Sequence, residues 1–368
     1  MPWKFLSALF AETPPAPSRR KMLREYDTPR RRLPDAALPP GAAEIAGKFR
    51  GAAGVALCRE MELTDPTVAA AIRIRRSAVA GLPRRVVANG APEAIVQFVA
   101  DALARLDDLR GDLEELLDAV PVGRAVGEVI LEPGGDVGGR PLLWPVRIQS
   151  RDPADYVFDE AGNLRLLTGR EPVAGEPLPP APKFVAAAYN PRHEDPHGTP
   201  ELAALYPAWR MKRDAVRAWA TALDKGGMPF LLARLRQRLP DDETRRLEEL
   251  LAGFQSESYG WICSDDVEDL RFLEPTRGFA RDTYLPFLEY WDRRMLVRYL
   301  GSHLAFDMPG AGSRAAAAAH SAVTASIVRD DAAWLGHRFS SAFLAPLVRL
   351  NFDYAGPCPR LEIVADGA

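Results

Sequence analysis

An α+β fold, with a mixed helix and strand region leading into long helices, is predicted by three features of this 368-residue chain. Short β-rich runs separated by Gly and Pro fill residues 121–190. Helical periodicities follow over residues 201–225, 279–301 and 314–352. The last two are joined by a stretch that includes Gly310-Ala-Gly-Ser-Arg314, with no nucleophile or ligand cluster beside it, which suits a moving part better than an active site. Length alone favours two domains.

Taken in order, Asp65-Pro66 or Thr64 caps a helix that places Val68, Ile72 and Val79 near helical spacing and stops at Gly81. A strand over residues 84–88 follows. Residues 94–119 read as a longer Leu- and Ala-rich helix with Asp and Glu on its outer face, and Gly111 is the point where it would break. Strands are expected over residues 125–131, 142–148, 156–158, 164–167 and 184–188, with a hairpin turn at residues 160–163. Together, residues 51–190 form the α+β domain.

Beyond it, Thr199 and Pro200 supply a cap and first position for the helix over residues 201–225, which carries Leu202, Leu205, Trp209, Val216 and Trp219 and ends at Gly226-Gly227. A small insert comes next, with a strand over residues 229–235, a helix over 241–252 and a strand near 260–263. The returning helix, residues 279–301, contains Pro286, which kinks it or marks its first turns. The pentalanine of residues 315–319 then starts the third long helix.

The formal charge of −3 conceals a basic, proline-punctuated N-terminal arm with Arg19, Arg20, Lys21, Arg24, Arg30, Arg31 and Arg32. Such a segment reads as an extended basic arm, with a disordered solubilising tail as the alternative. Cys58, Cys263 and Cys358 lie far apart without a CxxC pair, so neither a disulfide framework nor a zinc site is indicated, and a reduced setting fits. The apolar start, residues 1–10, is too short to span a bilayer and lacks a basic region ahead of it, so a protein without signal sequence or membrane segment is expected.

Candidate chemistry is sparse. His193-Glu-Asp195-Pro-His197 is the tight histidine and carboxylate cluster, and two histidines four apart share a metal when they lie on a helix. Here Pro191 and Pro196 oppose a helix, so a loop is expected, with a metal-dependent hydrolase using His193, Asp195 and His197 as the alternative. Gly134-Gly-Asp-Val-Gly-Gly139 lacks the Lys-Ser/Thr of a phosphate loop and reads as a hairpin turn. Arg210, Lys212, Arg213, Arg217 and Lys225 make the 201–225 helix basic, suited to phosphate or to a subunit-facing surface. Arg234, Arg236 and Arg238 alternate, so all three project from one face of a strand towards an acidic partner or a duplex backbone.

The combination of Tyr189-Asn-Pro-Arg192, Gly198-Thr-Pro-Glu-Leu202, Trp209-Arg-Met-Lys212, Lys225-Gly-Gly-Met-Pro229, Gly312-Ser-Arg-Ala315, His320-Ser-Ala-Val323, Arg329-Asp-Asp331 and Leu350-Asn-Phe352 resembles the portal proteins of Mu-like tailed phages. The match runs over residues 63–352. It implies a dodecameric ring at one capsid vertex that conducts double-stranded DNA and carries no catalytic activity or cofactor. The resemblance divides the chain into an arm (1–50), an α/β wing (51–198), a first stem helix (199–225), a clip insert (226–276), a second stem helix (277–301), a tunnel loop (302–314), a wing helix (315–352) and a tail (353–368). The tunnel loop would present His303, Phe306, Asp307, Gly310, Gly312 and Arg314 to DNA, and the clip would present Arg234, Arg236 and Arg238 to partners. Expected partners are further copies of the chain, double-stranded DNA, the terminase large subunit, the major capsid protein and the head-tail connector. The expected locations are the host cytoplasm during assembly and then the virion, as part of a prophage or a gene transfer agent. The short stretch after residue 352, with Pro357 and Pro359, implies that the crown is absent or reduced. A non-ring nucleic-acid-binding module using the arm is the remaining alternative.

Overall fold

The computed structural model describes residues 40–137, 140–192, 195–227, 230–235, 240–246, 249, 267–273, 279–302 and 314–365. Helices α1 (Pro40–Lys48), α2 (Gly51–Thr64) and α3 (Pro66–Ala80) open it. The Asp65 carboxylate accepts hydrogen bonds from the Thr67 and Val68 amides at 2.9 and 3.3 Å, and Pro66 takes the first helical position, so α3 begins where the sequence places it. Its apolar stripe, Val68, Ala71, Ile72 and Val79, is buried.

Strand β1 (Arg84–Val87) leads to α4 (Glu93–Arg105) and α5 (Leu109–Leu116), which divide the single helix expected over 94–119. The break falls at residues 106–108, ahead of Gly111. Asp108 wins there because its carboxylate caps α5 by accepting from the Gly111 amide at 2.9 Å, and a Cβ at Gly111 would stand 2.4 Å from that carboxylate.

Asp112, assigned by sequence to the outer face, is buried, and its Oδ2 has no hydrogen-bond partner. Burial pushes its carboxyl up to about 7; a backbone hydrogen bond from Ile148 opposes the rise, and Asp108, Glu115 and Asp107 add to it. Between about pH 4 and 7 the folded chain therefore holds a proton that the unfolded chain releases, so stability falls as pH rises through that window. Asp112→Asn should flatten this slope and stabilise the chain at pH 8 by on the order of 2 kcal/mol. Urea unfolding at pH 5 and pH 8 checks it; an unchanged slope in the variant contradicts the assignment.

After α6 (Ala119–Val122), the long strand β2 (Arg124–Val137) pairs antiparallel with β3 (Arg140–Arg151), from Val126 opposite Arg151 to Val137 opposite Arg140. Residues 134–137 of the Gly-rich run thus lie in one arm of a hairpin, and residues 138–139 lie outside the described residues. A second antiparallel sheet contains β4 (Tyr156–Phe158), β5 (Leu164–Leu166) and β6 (Glu176–Pro177). Asp159 builds its first turn, its carboxylate accepting from the Ala161 and Asn163 amides at 3.0 and 2.8 Å. Strand β7 (Phe184–Ala188) then joins the free side of β2, giving the order β3-β2-β7.

Helix α7 (Leu202–Gly227) starts two residues beyond Pro200 and contains Pro207. The amides of Thr199 and Glu201 donate to the Tyr189 and Val120 carbonyls instead of entering the helix. Strands β8 (Phe230–Leu235) and β9 (Val267–Leu273) pair antiparallel in the insert. The partner of the first insert strand is therefore residues 267–273; the strand expected at 260–263 lies outside the described residues. Helix α8 (Phe279–Leu300) returns, with Pro286 inside it.

The final helical stretch, expected as one helix, is α9 (Arg314–Phe339), a π-turn (Ser340–Leu344) and α10 (Ala345–Asn351). At the π-turn Ser340 Oγ donates to the Gly336 carbonyl at 2.6 Å and accepts from the Leu361 amide at 2.9 Å. Gly336 lets that strand approach, since a Cβ there would sit 2.7 Å from the Leu361 carbonyl oxygen. The segment expected as a tail thus contributes β10 (Arg360–Ile363), paired antiparallel with β1. One core unites these parts, from Met61 and Ile72 through Val99 and Val129 to Leu335, Phe343 and Leu347. Among the described residues no helix is long and apolar enough to cross a membrane.

Candidate functional site

Helices α7 and α8 form an antiparallel pair whose register is fixed by Glu201 with Arg298 (2.7 Å), Lys212 with Asp292 (2.6 Å) and the stacked rings of Trp219 and Tyr284. One end of the pair is rooted in the core: Leu202, Leu205 and Trp209 of α7 and Met295, Tyr299 and Leu300 of α8 are buried. The other end carries the β8 and β9 insert. Along the pair, Met211, Val216 and Leu223 of α7 and Tyr290 and Val297 of α8 are exposed.

At the root, Lys212 donates to Asp65 at 2.8 Å, to Asp292 at 2.6 Å and to Thr67 Oγ1 at 3.3 Å, while Thr67 Oγ1 donates to Asp292 at 2.7 Å. One ammonium thus ties α7 and α8 to the N-terminus of α3, where Asp65 is already the cap. Arg213 pairs with Glu60 at 2.9 Å and lies over the Trp209 ring. Lys212 and Arg213, read from sequence as facing DNA or a subunit, are engaged within the chain because carboxylates of α2, α3 and α8 meet them there. Arg210 and Arg217 remain exposed, with Asp214 4.0 Å from Arg210; the side chain of Lys225 lies outside the described ones.

A second cluster lies deeper. Arg75 of α3 donates to both oxygens of Asp331 on α9, at 2.5 and 2.9 Å, and also to the Tyr299 carbonyl and the Tyr189 hydroxyl at 2.9 Å each. Tyr189 in turn donates to Asp331 at 2.9 Å. Burial works against the guanidinium charge, but the Asp331 carboxylate outweighs it and raises the Arg75 pKa above its ordinary value. Burial likewise pushes the Tyr189 and Tyr299 hydroxyls up, so both stay protonated and Tyr189 remains a donor. Sequence reading passed over Arg75, although the signal was present: it falls three residues after Ile72 and four before Val79, on the apolar face of α3.

This cluster stands at the root of the segment between α8 and α9. Gly301 follows α8 at φ 75°, where a Cβ would lie 2.6 Å from Val323 Cγ1, and Thr324 Oγ1 donates to the Leu300 carbonyl at 2.9 Å. The end of α8 is thereby pinned to α9. His303, Phe306, Asp307, Gly310 and Gly312 lie outside the described residues, and Arg314 opens α9.

In the insert Arg234 is exposed near Glu268 at 3.7 Å, and a bulge follows it; Arg236 and Arg238 lie outside the described residues. His197 Nδ1 stands 2.9 Å from Asp195 Oδ1, and its ring packs edge-on against Phe158; His193 lies outside the described residues. Among the described residues no group of three side chains could hold a metal ion. Burial pushes the Cys58 thiol up to about 12, so it is an inert core residue.

No curated protein matches the chain. Its fold is similar to that of a chain in the virion of a native gene transfer agent particle, with a TM-score of 0.56 at 13% identity over 85% of this chain and 84% of that chain. A chain from the neck of an empty gene transfer agent particle with C6 symmetry gives a TM-score of 0.57 at 14% identity, covering 85% of each. An HK97 family phage portal protein from Corynebacterium diphtheriae gives 0.50 at 14% identity, covering 83% of this chain and 95% of that one. The family model described as the portal protein of Mu bacteriophage matches residues 55–368, from the second helix onwards, and the chain belongs to that family.

Proposed function

We propose that the chain assembles into a closed dodecameric ring at one capsid vertex, through which double-stranded DNA is packaged and ejected. The rooted two-helix stem carries this reading, because it leaves apolar side chains exposed on two sides of the chain. At roughly 100° per residue, Val216 and Leu223 share one face of α7 while Met211 lies about 140° away. Tyr290 and Val297 repeat the pattern with Leu285 on α8, whose exposures are 49%, 43% and 36%. A ring built from head-to-tail contacts needs two different complementary surfaces on every copy, and such a stem supplies them.

In this reading the insert, residues 226–276, is the clip that meets the terminase large subunit and later the head-tail connector, with Arg234, Arg236 and Arg238 towards the partner. The α+β wing, including β10, meets the major capsid protein. Assembly takes place in the bacterial cytoplasm and the ring stays in the virion. Arg210 and Arg217 face the neighbouring copy or DNA, and residues 302–314 line the tunnel. The family is structural and not catalytic. The hydrolase alternative gains no observation, since Asp195 already holds the His197 amide and ring.

Deleting residues 306–312 tests the tunnel assignment. Because Gly301 and Thr324 pin the flanking helices independently of the loop, rings should still form while nuclease-protected DNA in particles falls at least about tenfold. Normal packaging, or loss of the ring, contradicts the assignment.

A further inference from the structure

Beside the π-turn lies a cavity of about 270 Å³ that the conduit reading does not use. Its lining includes His337, Ser341, Arg349 and Arg360, together with Pro357 and Ala345. His337, Arg349 and Arg360 are exposed, and none has an ion-pair partner among the described residues, whereas Arg75, Arg76, Arg85 and Arg151 are all paired. Among the described residues no carboxylate lines the cavity.

The walls are held in place. Tyr354 donates to the Pro357 carbonyl at 3.0 Å and Asn89 to the Cys358 carbonyl at 3.1 Å, while Ser340 couples the π-turn to β10 through the Leu361 amide. A π-turn interrupts regular helical bonding, and such turns recur at functional sites. Here it brings Ser340 and Ser341 to the rim of a cavity where two arginines and a histidine are already gathered, so a ligand does not have to order the walls.

We propose that this cavity docks an acidic peptide segment of another protein, with a carboxylate side chain seated among His337, Arg349 and Arg360. A carboxylate takes two parallel hydrogen bonds from a guanidinium, which the unpaired arginines offer. The site is a solvent-open concavity with proline and alanine among its walls, which a single side chain of a peptide can enter. Exposed Asp353 flanks it in sequence and opposes a polyanion, while a short peptide can avoid it. The proposal stands apart from ring formation, so its failure leaves the conduit reading untouched.

The test is a fluorescence anisotropy titration of the full chain with a labelled oligoglutamate peptide and, in parallel, a short DNA duplex at near-physiological salt. The peptide should bind wild type, and R349Q/R360Q should weaken it at least about tenfold without moving the melting temperature. R210Q/R217Q should bind the peptide like wild type. Ser341→Glu, which places a negative charge at the rim, should weaken binding likewise and serves if R349Q/R360Q fails to fold. Absence of peptide binding, equal binding by all variants, or loss of duplex binding alone in R349Q/R360Q would overturn the proposal.

Discussion

Asp331→Ala should destabilise the folded chain by about 3–5 kcal/mol, because it leaves the Arg75 guanidinium buried without a counter-charge. The loss extends further than one pair. Asp331 also accepts from Tyr189, so the cluster joins α3, α9, the end of β7 and the last turn of α8. Arg75→Met combined with Asp331→Leu should recover more than half of the loss, since a well-packed apolar pair avoids the desolvation of two charges. Urea denaturation of the two single variants and the double variant measures both effects. A single-variant loss under about 1 kcal/mol would show that the cluster does not hold the helices together.

Val216→Glu with Leu223→Glu should abolish the ring while leaving the folded protomer intact. Both residues are exposed in the isolated chain, 46% and 55%, so their replacement should move protomer stability by no more than about 0.5 kcal/mol. Between copies the same change buries two carboxylates against an apolar neighbour, at several kcal/mol per interface. The concentration needed for assembly should rise at least about 100-fold, read by light scattering. Unchanged assembly would remove this face of α7 from the subunit contact.

Much of this fold is legible in sequence because its signals are local. Asp65-Pro66 marks the start of α3, the turn at Asp159 separates β4 from β5, and two long apolar periodicities flanking a small insert foretell α7 and α8. What escapes is decided across long separations. Lys212 meets Asp65 and Asp292 from 147 and 80 residues away, so its sequence neighbourhood shows a basic helix but not the carboxylates that engage it. The break before α5 follows the Asp108 cap, whose carboxylate starts a new helix by accepting from the Gly111 amide. The π-turn and β10 explain each other through Ser340 and Gly336, and neither has a periodic signature of its own.

The motifs behind the family resemblance gain a physical reason. Tyr189 and Asp331, individually unremarkable in sequence, both bond Arg75. Asn351 accepts from the Leu143 amide at 2.7 Å and donates to the Leu143 carbonyl at 3.0 Å, fixing α10 to β3. These residues tie α9 and α10 to α3, β3 and the end of β7.

The most direct measurement of the central claim is electron microscopy of the purified full chain. Top views should show closed rings with a central hole and twelve repeating units, with the stem pair packed around the channel. A strictly monomeric chain at high protein concentration, with or without capsid protein present, would contradict the account.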